Sequence, residues 1–429
     1  MRTPLCLSIV LLSSLALRAA EHRDSVKTGW NFGVLPAVSF DNNLGFQYGG
    51  LVNLFYYGDG STYPQYRHSI YAEVSQYTKG TTVFRSYYDS KYLLSGLRTT
   101  VDLAYLTDNM MKLHGFNGYQ SVYDADYLDR YGDGFYSYSR NMFRLISSLQ
   151  GKLGKGLSWM AGVDVYACKI DAINKSKLKL QPDTTAYEYM VAYGGIRPSE
   201  ARGGNHIYLK GGLVYDTRDV EANPMRGLCT ELLLLVSPDV EGRGQSHVKL
   251  SLMHRQYFTL LPQTLSLAYR VGYQGTLWGD VPWYLQQNFY VLMLRKTLSE
   301  GLGSNSTMRG VVRNRIVGDG IALANIELRW RFAHFNLFKQ NWYLATNPFV
   351  DAGMVVQPYR ERALLDMQNR MPASAPTLVS GETETPHVCV GIGLQVVMNQ
   401  NFIISADFGK ALDHRDGNTG MYVGLNYIF

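Results

Sequence analysis

The 429-residue sequence predicts an all-β fold, a single sixteen-stranded antiparallel β-barrel that crosses a membrane. It does so through a two-residue alternation of apolar and polar side chains, through alternately short and long connections, and through the lack of a helix-length apolar run after the first twenty residues. The alternation is plainest at 324–332. Ala324, Ile326, Leu328, Trp330 and Phe332 fall on one side, and Asn325, Glu327, Arg329 and Arg331 on the other. Side chains alternate faces along a strand, so this is a strand with one apolar and one charged face. A soluble sheet would turn the charged face to water. A membrane barrel turns the apolar face to lipid and the charged face to its lumen.

Composition favours the second arrangement. Only 18% of residues are charged, against about a quarter in ordinary soluble domains. Tyr (32 residues) and Gly (42) are abundant, and Tyr and Trp suit membrane–water interfaces because an apolar ring carries a polar tip. The formal charge is +6 with the basic residues scattered, which leaves no electrostatic footprint for nucleic acid. Residues 1–20 read as a secretory leader: Arg2 is the positive region, 5–17 the apolar stretch, and Ala19 and Ala20 the small residues for cleavage. Removing it takes away Arg2 and Arg18 and leaves +4 on residues 21–429. No later stretch reaches the roughly 18 apolar residues of a membrane helix. Closed strands are the other way to satisfy every backbone group in lipid. Cys6 leaves with the leader, and Cys168, Cys229 and Cys389 remain. Cys168 and Cys229 lie two strands apart, roughly 9–10 Å, too far for a disulfide, so these are expected to be small buried or lipid-facing thiols.

Taken in order, the strands are expected at 29–40, 46–58, 67–79, 80–94, 96–106, 134–150, 156–169, 205–217, 227–237, 246–259, 263–276, 319–332, 340–356, 386–398, 401–411 and 418–429. An even number fits a single-chain bacterial barrel. Several repeat the 324–332 pattern. Val388, Val390, Ile392, Leu394, Val396 and Met398 oppose Gly391, Gly393 and Gln395; Leu265, Leu267, Tyr269 and Val271 oppose Ser266, Arg270 and Gln274. In the last strand Met421, Val423, Leu425, Tyr427 and Phe429 are expected on one face. The connections at 151–155, 261–262 and 399–400 are tight, while 107–133, 170–204, 277–318 and 357–385 are long. Short turns at one rim and long loops at the other are an outer-membrane pattern, with both termini periplasmic and the long loops outside.

Four motifs in order then resemble the BamA/TamA family, the bacterial surface-antigen barrels that assemble or translocate proteins at the outer membrane. Tyr215, Asp216, Thr217, Arg218 and Asp219, followed by Pro224 and Gly227, are similar to the family's strand–turn–strand. Pro282, Trp283 and Tyr284 with Asn288, Phe289 and Tyr290, then Met308, Arg309, Gly310 and Val311, resemble its long extracellular loop ending in V-R-G-F/Y, with Val311 where the aromatic stands. Phe349, Val350, Asp351, Ala352 and Gly353 match F-x-D-x-G, and YVGLNYIF at 422–429 fits the terminal targeting signal through Tyr422, Gly424, Tyr427 and Phe429. The resemblance implies that the loop folds back into the lumen and that Arg309 meets Asp351. A planar guanidinium can bind a carboxylate through two hydrogen bonds. Gly310 and Gly353 would let the two backbones approach closely, and Glu327 and Arg329 would extend the network. The family's chaperone-like POTRA modules, which take up substrate by strand addition, have no counterpart before residue 29, so 21–429 is expected to be barrel alone.

The sequence shows no HExxH, GxSxG, Walker loop or CxxC, and no enzyme, cofactor or metal is expected. Asp124, Asp126, Asp129 and Asp133 crowd one loop, but their spacing fails the calcium-loop template at its later ligands. The basic run 175–180 suits either lipopolysaccharide phosphates or a solvated loop tip. The expected function is an outer-membrane barrel that assists assembly or export of other outer-membrane proteins within a complex, gated by a weak seam between 29–40 and 418–429. Its expected partners are outer-membrane lipid, lipopolysaccharide and other assembly or secretion components. The alternative is a passive pore or structural surface barrel that has lost insertase activity.

Overall fold

The computed structural model describes residues 26–429 apart from 64, 179–183, 293–297, 299, 338–339 and 399–401; the leader at 1–20 lies outside the described residues. Alternating sequence becomes sixteen antiparallel strands. The first, β1, is interrupted, running Trp30–Pro36 and then Ser39–Asp41, and both pieces pair with β2 (Gly45–Tyr56). Then come β3 (His68–Tyr77), β4 (Thr81–Leu94), β5 (Leu97–Lys112), β6 (Ser137–Lys152), β7 (Leu157–Asp171) and β8 (Gly203–Asp216). The second half is β9 (Gly227–Ser237), β10 (His247–Leu261), β11 (Leu265–Gly279), β12 (Gly320–Leu337), β13 (Gln340–Gln357), β14 (His387–Met398), β15 (Phe402–Ala411) and β16 (Thr419–Leu425). Each pairs with its sequence neighbour, and β16 closes the barrel on β1.

The faces fall as alternation requires. Ile326 and Trp330 of β12 are each 49% exposed on the outer wall, whereas Asn325 and Glu327 are wholly buried in the lumen. Lumen-facing charges recur round the wall, including Arg140, Asp164, Lys210, Glu231, Arg255 and Arg270. The three cysteines are free and buried. At the rim away from the first and last strand ends, called outer below, described residues of the long loops form a cap in which Phe116, Tyr136, Tyr187, Trp283, Tyr359 and Met367 share one apolar cluster. Trp283 is its hub, completely buried and donating its ring N–H to the Glu200 carbonyl at 3.1 Å. Of the basic run, Lys175 pairs with Glu188 at 3.1 Å, and 179–180 lie outside the described residues.

Two expectations are corrected. The rims do not segregate connection length cleanly: the first two outer turns, 42–44 and 78–80, are short, while the inner connections 57–67 and 217–226 are longer. The last strand stops at Leu425. Asn426 turns into the left-handed region (φ 66°), where Asn is tolerated, and its amide takes the Ile403 carbonyl at 3.0 Å. The chain then bends inward, so Tyr427 and Phe429 are buried in the lumen and do not share the lipid face of Met421. The seam between β1 and β16 is short: among the described residues, Asp41 pairs with Tyr422 and Phe40 with Val423.

The assignment of faces has a direct test. Replacing Ile326 by Arg puts a charge on the lipid face near the middle of β12 and is expected to cost about 2–4 kcal/mol of folding stability, read by urea titration of the vesicle-folded barrel. A variant as stable as the parent would invert the wall.

Candidate functional site

The described residues of the loop 280–319 run from the cap, where Trp283 sits, down into the lumen, and the lumen part has two faces. Leu302, Met308, Val311 and Ile316 are buried together with Leu323 and Val355 of the wall. Bridges between Asn288 and Glu300 and between Leu302 and Ile316 fold the loop back on itself, and Glu300, Arg309 and Arg313 meet charged residues of the wall.

At its tip Arg309 donates from Nε to Asp351 Oδ2 and from Nη2 to Asp351 Oδ1, both at 2.9 Å, and its own amide reaches Oδ2 at 3.1 Å. Its Nη1 lies 2.8 Å from Glu327 Oε1 and 3.4 Å from Asp407 Oδ1. The guanidinium lies over the Phe349 ring, 3.3 Å from its centroid. The loop's aromatic is replaced by Val311, and the wall supplies a ring at Phe349. Burial alone would lower the Arg309 pKa, but the Asp351, Glu327 and Asp407 carboxylates reverse this and hold it above the ordinary arginine value. Arg329 closes the other side of Glu327 at 2.8 Å, and Arg270 donates to Asn325 Oδ1 at 2.8 Å and to the Ser306 carbonyl at 3.0 Å. Three carboxylates thus share a buried site with three guanidiniums.

The glycines act differently from expectation. Gly310 sits at φ 103° and meets Gly409 of β15: a side chain on Gly310 would lie 2.7 Å from the Gly409 carbonyl carbon. Gly353 does not meet Gly310; it makes room for Met308 and Leu302, whose atoms lie 2.8 and 2.9 Å from where its Cβ would be. Beyond the tip, Glu300 is held by Arg140 at 3.0 Å and Arg313 at 3.1 Å, and Arg313 also reaches Asp108 at 3.0 Å. Burial would raise the Glu300 pKa, and Arg140 and Arg313 overcome that and depress it. Arg315 donates to the Gly118 carbonyl at 2.8 Å and to Ser121 Oγ at 2.9 Å, tying the loop to the cap.

The same loop crosses the seam. Its Gly310 amide donates to the Tyr422 hydroxyl on β16 at 3.1 Å, Val312 to the Asp416 carbonyl at 2.9 Å, and Arg313 to Asn43 Oδ1 beside β1 at 3.3 Å. Tyr422 therefore serves the loop as well as the strand, while Gly424 has open space where a Cβ would go. At the inner end Arg329 donates to the Phe429 main-chain oxygen at 3.0 Å and lies 4.2 Å from the Tyr427 ring centroid. No sequence motif marks Asp407, Glu300, Arg313, Arg140 or Asp108. Asp407 sits on the polar face of FIISADFGKA with Ser405 and Gly409, and that alternation was the available signal.

Residues 66–429 match the Omp85 superfamily domain. Among solved structures, BamA from Haemophilus ducreyi lacking POTRA domains 1–3 is similar with 14% identity and a TM-score of 0.57, over 93% of this chain and 70% of that one. CdiB from Escherichia coli is similar with 10% identity and a TM-score of 0.56, over 92% of this chain and 63% of that one. At these identities the likeness is one of fold. No curated protein matches the chain.

Replacing Arg309 by Ala leaves Asp351 and Glu327 buried with less compensation, and is expected to cost about 3–5 kcal/mol of loop docking. Arg309→Lys keeps the charge, loses the fork and should fall between. Hydrogen exchange of the 300–316 amides reads the effect; protection equal to the parent in the Ala variant would show the pairs idle.

Proposed function

The chain belongs to the Omp85 superfamily, and from that premise we propose that it assists assembly, insertion or export of outer-membrane proteins through its seam, as part of a complex. The observation that carries this reading is the closure by two residue pairs at one end of β1. Seven residues, Trp30–Pro36, pair with β2 on one side and, among the described residues, have no paired strand on the other. A backbone edge bare of partners is a template for another strand. In hydrocarbon each unsatisfied group costs several kcal/mol, which favours recruitment of one.

The outer cap and the lumen loop weigh against a passive pore, because they fill the outer half of the tube. With the long loops outside, both termini are periplasmic, where other components would meet the bare edge. Arg309, Gly310, Met308, Phe349, Asp351 and Gly353, with Glu327 and Arg329, serve in this reading as the fixed anchor of the loop. Tyr422, Gly424, Tyr427 and Phe429 serve as the terminal signal.

Two measurements test it. Depleting the protein is expected to lower the folded level of other outer-membrane barrels; normal levels would sink the assembly reading. Phe40 and Val423 are opposed in register, a separation of roughly 4.5–5.5 Å that suits a disulfide. A Phe40→Cys, Val423→Cys barrel should therefore fail to complement depletion when oxidised and recover on reduction. Full complementation by the oxidised form would show that the seam does not open in function.

A further inference from the structure

His387, the first residue of β14, is wholly buried where four connections meet: 113–136, 280–319, 358–386 and 412–418. Its Nδ1 lies 2.7 Å from Asp416 Oδ1, in the turn that joins β15 to β16. Its Nε2 lies 3.2 Å from Glu384 Oε1. Tyr119 stacks on the imidazole with ring centroids 3.8 Å apart and donates its hydroxyl to Asp416 Oδ2 at 2.8 Å. From the lumen loop, Arg315 Nε comes within 3.6 Å of Asp416 Oδ1.

These neighbours settle the protons on the ring. A neutral imidazole carries one N–H and can donate from one nitrogen only. Here a carboxylate faces each nitrogen. Both oxygens of Glu384 accept a backbone amide, Val355 at 2.9 Å and Tyr119 at 2.7 Å, as an ionised carboxylate does. Charge gives the same answer. Arg315 stands beside Asp416, and Arg415, over the Tyr119 ring, pairs with Asp413 and Glu382. Two arginines thus face four carboxylates, and His414 beside Asp413 points to solvent with its side chain 95% exposed. Asp351, farther along the lumen, is taken by Arg309. Carboxylates this close favour the charged ring, and removing its proton would leave Asp416 and Glu384 buried with too little positive charge.

We propose that cationic His387 is a pH-sensitive clasp that holds the outer turn of the seam against the cap and the lumen loop. The turn it grips also offers the Asp416 carbonyl to the Val312 amide at 2.9 Å, so clasp and lumen loop hold β16 at the same point. The clasp is complete while the ring carries its charge, at acidic to neutral pH. It loosens as rising pH strips the proton, because one of the two ring bonds then has no hydrogen. The clasp goes beyond the assembly reading and does not rest on it, since it is read on the isolated barrel without complementation.

The test uses the full barrel folded into vesicles with a nitroxide on His414→Cys, whose parent side chain faces solvent, while the native cysteines are buried. The label should move slowly at about pH 6 and several-fold faster at about pH 9, on either side of the histidine range. His387→Gln should leave it fast at both. Asp416→Asn keeps the shape but removes one of the two carboxylates, and should move the midpoint down by about one pH unit. A label equally slow at both extremes in the parent would overturn the proposal. So would a transition that survives His387→Gln, or a midpoint unmoved by Asp416→Asn, which decides alone where His387→Gln fails to fold.

Discussion

A buried guanidinium must be met by carboxylates, and Arg309 makes that demand at the centre of this barrel. Asp351 accepts its fork, Glu327 and Asp407 take its remaining edge, and Phe349 covers its face. Removing any one partner strands a charge in a medium where charge is costly. The surrounding residues follow from bringing that head group to the wall. Gly310 and Gly409 permit the approach of loop and strand, and Gly353 leaves room for Met308. The loop is thus fixed in the lumen by a few side chains while most of its length stays irregular. That is tolerable at membrane depth only because the wall shields it from lipid.

This anchoring makes the seam unequal along its length. At the outer end the loop spans the joint, touching Tyr422 on one side and Asn43 on the other, and Asn42 adds a backbone bond to Met421 at 3.1 Å. At the inner end nothing comparable crosses it among the described residues, because β16 has already turned away. The bare stretch of β1 follows from this inequality. An edge that a soluble protein would cover with charges or a bulge is here left open on the side facing the bilayer.

The strands were legible because membrane and lumen impose opposite solvents on alternate residues. Each expected strand has its counterpart, and β9 lies at 227–237 as expected. The approach of Arg309 to Asp351 could be anticipated only through the ordered motifs, since nothing in the spacing of residues 42 positions apart brings them together. The bend at Asn426 was not legible. The run from Met421 to Tyr427 keeps apolar residues at every second position, and what breaks the strand is tertiary: Arg329 offers a donor and a cationic face to Tyr427 and Phe429. Asp407, Glu300 and Arg140 carry no mark in the sequence for a related reason. Every lumen face carries such charges, and only the path of the loop decides which of them become partners.

Glu327 joins the two ends of this arrangement. One carboxylate oxygen lies 2.8 Å from Arg309 on the loop, and the other accepts from Arg329, which holds the Phe429 oxygen. The docked loop and the inward terminus therefore draw on the same buried negative charge, where Coulomb attraction is stronger than at a surface. Each cation steadies the carboxylate against which the other packs, so the strap that closes the outer seam and the bend that opens the inner one are stabilised together. A barrel built this way holds its gap open by the same ion network that keeps its lumen filled.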